Sequence, residues 1–220
     1  MPAKLLTTTA LAGLMAASVA TTAAAEIELS FYGGYQTSPH SRIEGTLPGG
    51  GGSFSELIGW EGDSFAAPPY YGGRITYWRE DNTGWGVELT HAKVYGADET
   101  ALFDRLEFSD GHNILTVNYS KRWPGLWNQF TPYVNAGLGI AVPHVDARAT
   151  GSTERTFGYQ YSGPAARLTA GASYALNENW DLFSEYQFTW SDNNVDLDGG
   201  GDLETRIITN SINVGVSYSF

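Results

Sequence analysis

From position 27 onward the chain alternates apolar and polar residues with period two. This predicts β-strands, because successive strand side chains point to opposite faces. In residues 27–36, Ile27, Leu29, Phe31 and Tyr35 share one face, while Glu28, Ser30, Tyr32 and Gln36 share the other. The pattern recurs in residues 70–79, 85–95, 113–121, 132–142, 166–176, 180–190 and 208–220, giving eight strands. In the last of these, Ile212, Val214, Val216, Tyr218 and Phe220 oppose Asn213, Gly215, Ser217 and Ser219.

The two faces differ in a way that names the solvent. One is apolar, with aromatic residues near the strand ends. The other is small and polar, and carries Glu28, Arg74, Glu88, Arg167 and Glu185. A soluble barrel fills its inside with bulky apolar side chains, whereas a transmembrane barrel is apolar outside and polar within. Strands of about ten residues, tilted, match the hydrocarbon thickness, and closure leaves no sheet edge unpaired in lipid. The expected fold is therefore all-β: an eight-stranded antiparallel transmembrane up-and-down β-barrel. Short links at 80–84, 122–131 and 177–179 alternate with long ones at 37–69, 96–112, 143–165 and 191–207. Short periplasmic turns and long extracellular loops are the bacterial arrangement. Eight strands leave a lumen that side chains fill, so the recurring charges read as a buried salt-bridge network plugging the barrel, with Glu88 and Glu185 as a catalytic pair a weaker reading.

Composition and termini refine this picture. With 14% aromatic residues the chain is not a disordered one. The absence of cysteine excludes a disulfide framework, a thiolate metal site and a cysteine nucleophile. Lys4, an uncharged stretch from Leu5 to Thr22 and Ala23-Ala24-Ala25 form a secretory leader, so residues 1–25 read as a signal peptide and 26–220 as the barrel. The terminal Phe220 resembles the assembly signal of outer-membrane barrels, so periplasmic chaperones and the barrel-assembly machinery are expected partners. A net charge of −12 excludes nucleic acid as a partner, and the expected state is a monomer.

Candidate chemistry gathers at the outer end. His40, His91, His112 and His144 all fall there, as do Asp63, Asp104, Glu107, Asp110 and Asp146. Imidazole with carboxylate and no thiol suits a divalent iron, manganese or zinc ion, which makes His112, His144 and Asp146 the candidate metal ligands. The alternative is a set of solvated loop histidines beside anionic headgroups. His91 and Lys93 continue the outward parity of Trp85, Val87 and Leu89, which places them at headgroup level, able to bind a lipid A phosphate; a bulge there would turn them inward. The acidic loop with Asp192, Asp196, Asp198, Asp202 and Glu204 lacks an EF-hand arrangement and reads as a solvated face, with loose binding of the cations that bridge lipopolysaccharide as the alternative. The glycine tract 49–52 has no strand-to-helix context for a phosphate cradle.

The outer-end sequences also carry a family resemblance. They comprise Phe31-Tyr32-Gly33-Gly34-Tyr35-Gln36-Thr37-Ser38-Pro39-His40-Ser41, Pro68-Pro69-Tyr70-Tyr71-Gly72, Glu88-Leu89-Thr90-His91-Ala92-Lys93-Val94-Tyr95 and Phe108-Ser109-Asp110-Gly111-His112-Asn113. Val142-Pro143-His144-Val145 and Thr209-Asn210-Ser211-Ile212-Asn213-Val214-Gly215-Val216 complete the set. Together they resemble the lipid A oxidase family of alphaproteobacterial outer membranes. The resemblance implies dioxygen-dependent oxidation of the proximal glucosamine of lipid A to 2-aminogluconate, in the bacterial outer membrane, and carries no catalytic residues with it. Lipid A 3-O-deacylases need a His-x-Ser pair, which is absent. Palmitoyltransferases use loop His, Asp and Ser, a set that His40, Asp63 and Ser64 could imitate.

For an oxidase, the expected roles are His40, His112, His144 and Asp110 in catalysis, with His91 and Lys93 holding the substrate headgroup. No βαβ unit for flavin or nicotinamide occurs, so a divalent metal and molecular oxygen are the expected cofactors. Against this stand a non-enzymatic opacity-like or OmpA-like small barrel, serving envelope stability, adhesion or ligand binding, and a narrow channel for small hydrophobic molecules.

Overall fold

The computed structural model describes residues 25–97 and 100–220, with backbone alone at Ala97, Ser109 and Asp110. Apart from Ala25, the expected leader lies outside the described residues. The strands are β1 (Glu26–Thr46), β2 (Ser53–Glu61), β3 (Tyr71–Trp78), β4 (Thr83–Ala97) and β5 (Phe103–Arg122), followed by β6 (Phe130–Ala149), β7 (Thr156–Tyr159), β8 (Gly163–Ala175), β9 (Trp180–Asp196) and β10 (Asp202–Ser219). All pairings are antiparallel, and β1 pairs with β10 to close the sheet on itself. β2 and β3 both lie between β1 and β4, and β7 and β8 both pair with β6. Each of those couples forms one interrupted stave, so the wall has eight staves.

The outward face is the lipid surface. Ile75, Val87, Val117, Leu138, Leu168, Ile212 and Val214 stand exposed around its middle, Leu138 at 74%. At the periplasmic rim Trp85 packs edge-on against Tyr119 and Trp180 against Tyr218, and Phe130 packs tilted against Tyr174. Such rings suit the membrane interface, where one end of an aromatic side chain is apolar and the other wet.

Inside, the lumen is filled at its middle, and a cavity of about 110 Å³ remains toward the periplasmic mouth, lined by Glu28, Trp78 and Asp181 among others. Arg74 bridges Glu88 at 3.5 Å and Glu185 at 3.1 Å, and Arg167 reaches Glu88 at 3.2 Å, all four side chains being almost fully buried. The Glu88 carboxylate also accepts hydrogen bonds from Tyr32 (2.6 Å), Asn118 (2.6 Å) and Gln187 (2.8 Å), and Tyr133 donates to Glu185 at 2.6 Å. Two cations paired with two anions and multiply hydrogen-bonded are tolerated where a lone charge would not be, although Arg167 Nε has no hydrogen-bond partner among the described residues. Gly171 makes room for this layer, since a Cβ there would come within 2.6 Å of Glu185 and 2.8 Å of the Tyr133 hydroxyl. Glu28 sits apart, near the periplasmic mouth, bound by Ser30 and the Trp78 indole.

The segments expected as long loops are largely strand. β1, β6 and β9 continue outward to Thr46, Ala149 and Asp196, and β5 and β10 begin at Phe103 and Asp202. Above the membrane the polarity of the wall inverts. Ile43, Trp60, Phe108, Val145, Leu203 and Ile207 are buried together inside, while Arg42, Asp192, Glu204 and Arg206 lie outside around a surface recess. Water surrounds this part of the barrel, so the ordinary rule of apolar inside returns, and the packed cap closes the extracellular end. The acidic residues of the last loop are dispersed: Asp192 pairs with Arg206, Asp202 accepts from the Thr46 hydroxyl and Glu204 from Asn194.

Candidate functional site

The polar side chains of greatest chemical interest lie on the outer face, at the height where lipid meets water. On β3, β4 and β5, Tyr71 pairs with His91 and His91 with Asn113. All three continue the outward parity of Ile75, Leu89 and Leu115, and Val142 on β6 follows in the same row. His144 stands one pleat beyond Val142 on the same face. His91 stacks on the Tyr71 ring (centroids 4.9 Å, planes 18°) and its Nδ1 lies 3.0 Å from Asn113 Oδ1. Asn113 in turn donates to the Val142 carbonyl at 3.3 Å. His144 meets Phe157 and Tyr159 of β7 edge-on, at 4.5 and 4.9 Å.

A bulge shapes this patch. Between the pairs Ala92–His112 and Val94–Phe108, β5 carries two more residues than β4. The bulge falls on β5, so His91 and Lys93 keep their outward parity and the inward alternative does not occur. Gly111, at φ +113°, lies in the bulge, and a Cβ there would meet the His91 ring at 2.4 Å. Only glycine gives both that backbone conformation and that approach. The imidazole is thus held between a tyrosine ring and a glycine backbone, and is 6% exposed. Bulges re-aim side chains and are over-represented beside active sites.

The other expected site residues are distributed over both faces of the wall. His112 points inward. Its Nε2 lies 3.1 Å from Asn193 Oδ1 and 3.1 Å from Ser191 Oγ, both on β9 across the lumen. His40 is exposed on an irregular part of β1, one stave away from β4. Asp146 faces outward and receives a two-pronged contact from Arg155, at 2.7 Å to each oxygen, and another from Arg105. Asp110 lies in the bulge, between the strands bearing His91 and His144, and its side chain is outside what is described.

The metal set His112, His144 and Asp146 is therefore not assembled. Alternation puts His112 on the opposite face from the other two, and two guanidinium groups occupy Asp146. Among the described residues no group of three or more His, Cys, Asp or Glu is arranged to hold a metal ion, so the residues proposed for a divalent ion do not fit one. Nor does Lys93 reach the headgroups as expected. It is outward but fully buried, because residues 62–69 lie over it and the Ala66 carbonyl accepts from its ammonium at 3.1 Å. Glu88 and Glu185 are bound by arginines rather than free as an acid–base pair. Sequence reading missed Tyr71, Gly111 and Asn113 as parts of the patch. All three stand in the quoted outer-end segments, but only the register of β3, β4 and β5 shows that they meet.

Similarity to known proteins agrees with this architecture. Over 55 residues the chain is 44% identical to the 31 kDa outer-membrane immunogenic proteins of Brucella melitensis and Brucella suis. That match spans 24% of this chain and 22% of theirs. The solid-state NMR structure of outer membrane protein AlkL superposes with a TM-score of 0.54 at 15% identity, covering 100% of this chain and 97% of AlkL. Neisserial surface protein A gives 0.47 at 16% identity, over 89% of this chain and 97% of that one. At such identity AlkL testifies to the fold alone. A family model, outer membrane protein beta-barrel domain, matches residues 9–220. The chain belongs to that family and is a protein of the bacterial outer membrane.

Proposed function

We propose that this barrel acts on lipid A from the outer leaflet, oxidising the proximal glucosamine to 2-aminogluconate at the outward patch of His91, Asn113 and His144. The observation that carries the reading is the position of the patch. Two imidazoles and a carboxamide face outward at headgroup height, steadied by Tyr71, Phe157 and Tyr159, where the hydrocarbon face would otherwise present apolar groups. Four of the segments that resemble lipid A oxidases, at 68–72, 88–95, 108–113 and 142–145, lie on or lead into the strands that form it. The middle of the lumen and the cap are both filled, so chemistry on a lipid of the outer leaflet belongs outside the wall.

The reaction needs a free hydroxyl on the anomeric carbon. Two electrons and the anomeric hydrogen leave, together with the hydroxyl proton. Dioxygen takes up the electrons and protons to give hydrogen peroxide, and water opens the resulting lactone to the carboxylate. In this reading an imidazole of His91 or His144 accepts the hydroxyl proton, the role for which histidine suits neutral pH. Asn113 holds the His91 ring in place. No step is assigned to a metal ion, since the proposed ligands do not converge.

Mass spectrometry of lipid A from a strain expressing the protein in air tests this. The expected result is a gain of one oxygen atom, lost in His91→Ala and His144→Ala variants that still insert. Unchanged lipid A in every case would overturn it and leave a non-enzymatic outer-membrane barrel, a role with which the filled lumen and packed cap are compatible.

A further inference from the structure

Lys93 is the least expected charge in the molecule. Lysine is almost never fully buried unless paired, yet its side chain is wholly covered and its ammonium meets one carbonyl, Ala66, and the Tyr95 ring at 5.2 Å. No carboxylate among the described residues lies within ion-pair distance of it. It stands on the outward face, two residues beyond His91, so the two side chains are about 7 Å apart along the strand.

What covers it is not wall. β2 leaves β4 at the Glu61–Tyr95 pair and β3 joins it at Tyr71–His91, so residues 92–94 of β4 have no strand partner on that side. Residues 62–69 fill the break as an irregular segment. Its backbone bonds, Ala66 to Asp63 and Tyr70 to Ser64, are local. Among the described residues its hydrogen bonds to the barrel are the Gln36 amide to the Ser64 hydroxyl (2.9 Å), that hydroxyl to the Gln36 carbonyl (3.4 Å), the Gln36 carboxamide to the Gly62 carbonyl (3.2 Å) and the Lys93 ammonium to the Ala66 carbonyl. At the tip, Phe65 is 78% exposed and stacks on Tyr35 at 6.3 Å. Gln36, which contacts the segment, has a buried Oε1 with no hydrogen-bond partner among the described residues. A segment held by so few bonds opens at low cost compared with a ladder.

We propose that residues 62–69 are a movable strap, and that its displacement exposes Lys93 to a phosphate monoester of the glycolipid headgroup bound at the His91 patch. The inference rests on the lipid A reading above and adds the gate and the phosphate contact. The strap keeps the ammonium covered until a headgroup replaces the Ala66 carbonyl with a charged oxygen, a stronger partner.

The chain has no cysteine, so a Tyr35→Cys, Phe65→Cys variant whose disulfide is verified by thiol titration after oxidation locks the strap to β1. Binding is measured on the purified full barrel in detergent, with lipid A that carries phosphate only away from its free anomeric hydroxyl, its fully dephosphorylated form, and inorganic phosphate as probes. Wild type and the reduced variant should prefer phosphorylated lipid A by about ten- to a hundredfold, the range expected of one charged hydrogen bond. The oxidised variant and Lys93→Met should lose that preference, and Lys93→Arg should retain most of it, with gel mobility confirming folded barrels throughout. A preference that survives the lock or Lys93→Met overturns the strap while leaving the lipid A reading intact. Inorganic phosphate binding as tightly as the lipid overturns the headgroup assignment. Failure of every lipid form to bind wild type overturns both readings together.

Discussion

Removing the Glu88 carboxylate should destabilise the barrel more than any other single change in its lumen. Glu88 faces two guanidinium groups, Arg74 at 3.5 Å and Arg167 at 3.2 Å, and three neutral donors within 2.8 Å. Glu88→Ala leaves Arg167 buried without a carboxylate and Arg74 with Glu185 alone. Breaking a buried pair by deleting one partner costs about 3–5 kcal/mol, because the surviving charge stays desolvated. At about 1.4 kcal/mol per tenfold, that is roughly a thousandfold in the unfolding equilibrium. Denaturant unfolding in lipid or detergent, followed by tryptophan emission and by gel mobility, reads the loss. The companion Arg167→Met variant and the double variant complete a cycle. Removing both charges should cost less than the sum of the singles, with a coupling of at least about 1 kcal/mol. A Glu88→Ala barrel within about 1 kcal/mol of wild type, or strictly additive effects, would refute the view that the lumen is held by charge pairing.

Three further outcomes follow from the outer end and the lipid face. Gly111→Ala puts a Cβ into the His91 ring at a positive φ. It should cost at least about 1 kcal/mol in stability, shift the His91 ring resonances and abolish lipid A modification; wild-type spectra would refute the sandwich. For Asp146, burial alone would raise the pKa, but the hydrogen bonds from Arg155 and Arg105 outweigh it and hold the carboxyl below its ordinary value. The folded value thus lies beneath the unfolded one, so this stabilisation is complete above the unfolded carboxylate pKa of about 3.9 and is lost as pH falls through the depressed value. Hydrogen exchange of β7 should accelerate in that acid range, and Asp146→Asn should remove the pH dependence at a constant loss of protection. Leu138→Arg, at the most exposed position among the mid-wall residues named above, should cost about 2–4 kcal/mol in bilayer stability; a neutral effect would mean that this face does not meet lipid.

Much of the membrane-spanning barrel was legible from local pattern. The parity of residues 85–95 put Trp85, Val87 and Leu89 outward and Glu88 inward, and the structure keeps both assignments, because a strand cannot rotate one side chain without its neighbours. The charges on the inner face announced a plug, since a lumen of eight strands has room for side chains and little else. The outer end was harder to read. In β10, Leu203 and Ile207 share the inward parity of Ser211 and Asn213, but their polarity is opposite, so a search for one apolar face stops at the waterline and mistakes strand for loop. The histidines illustrate the same limit. That all four lie toward the extracellular end follows from sequence position, whereas the face each one takes depends on the wall it joins.

By itself, then, the sequence determined the barrel, its eight staves, its lipid face and its charged lumen, because alternation and solvent are local constraints repeated along every strand. Only the tertiary structure decided that the two-residue bulge lies on β5 and not β4, that Gly111 backs His91, that His112 and His144 part to opposite sides of the wall, and that residues 62–69 cover Lys93. These depend on register between strands distant in sequence, which no single strand encodes.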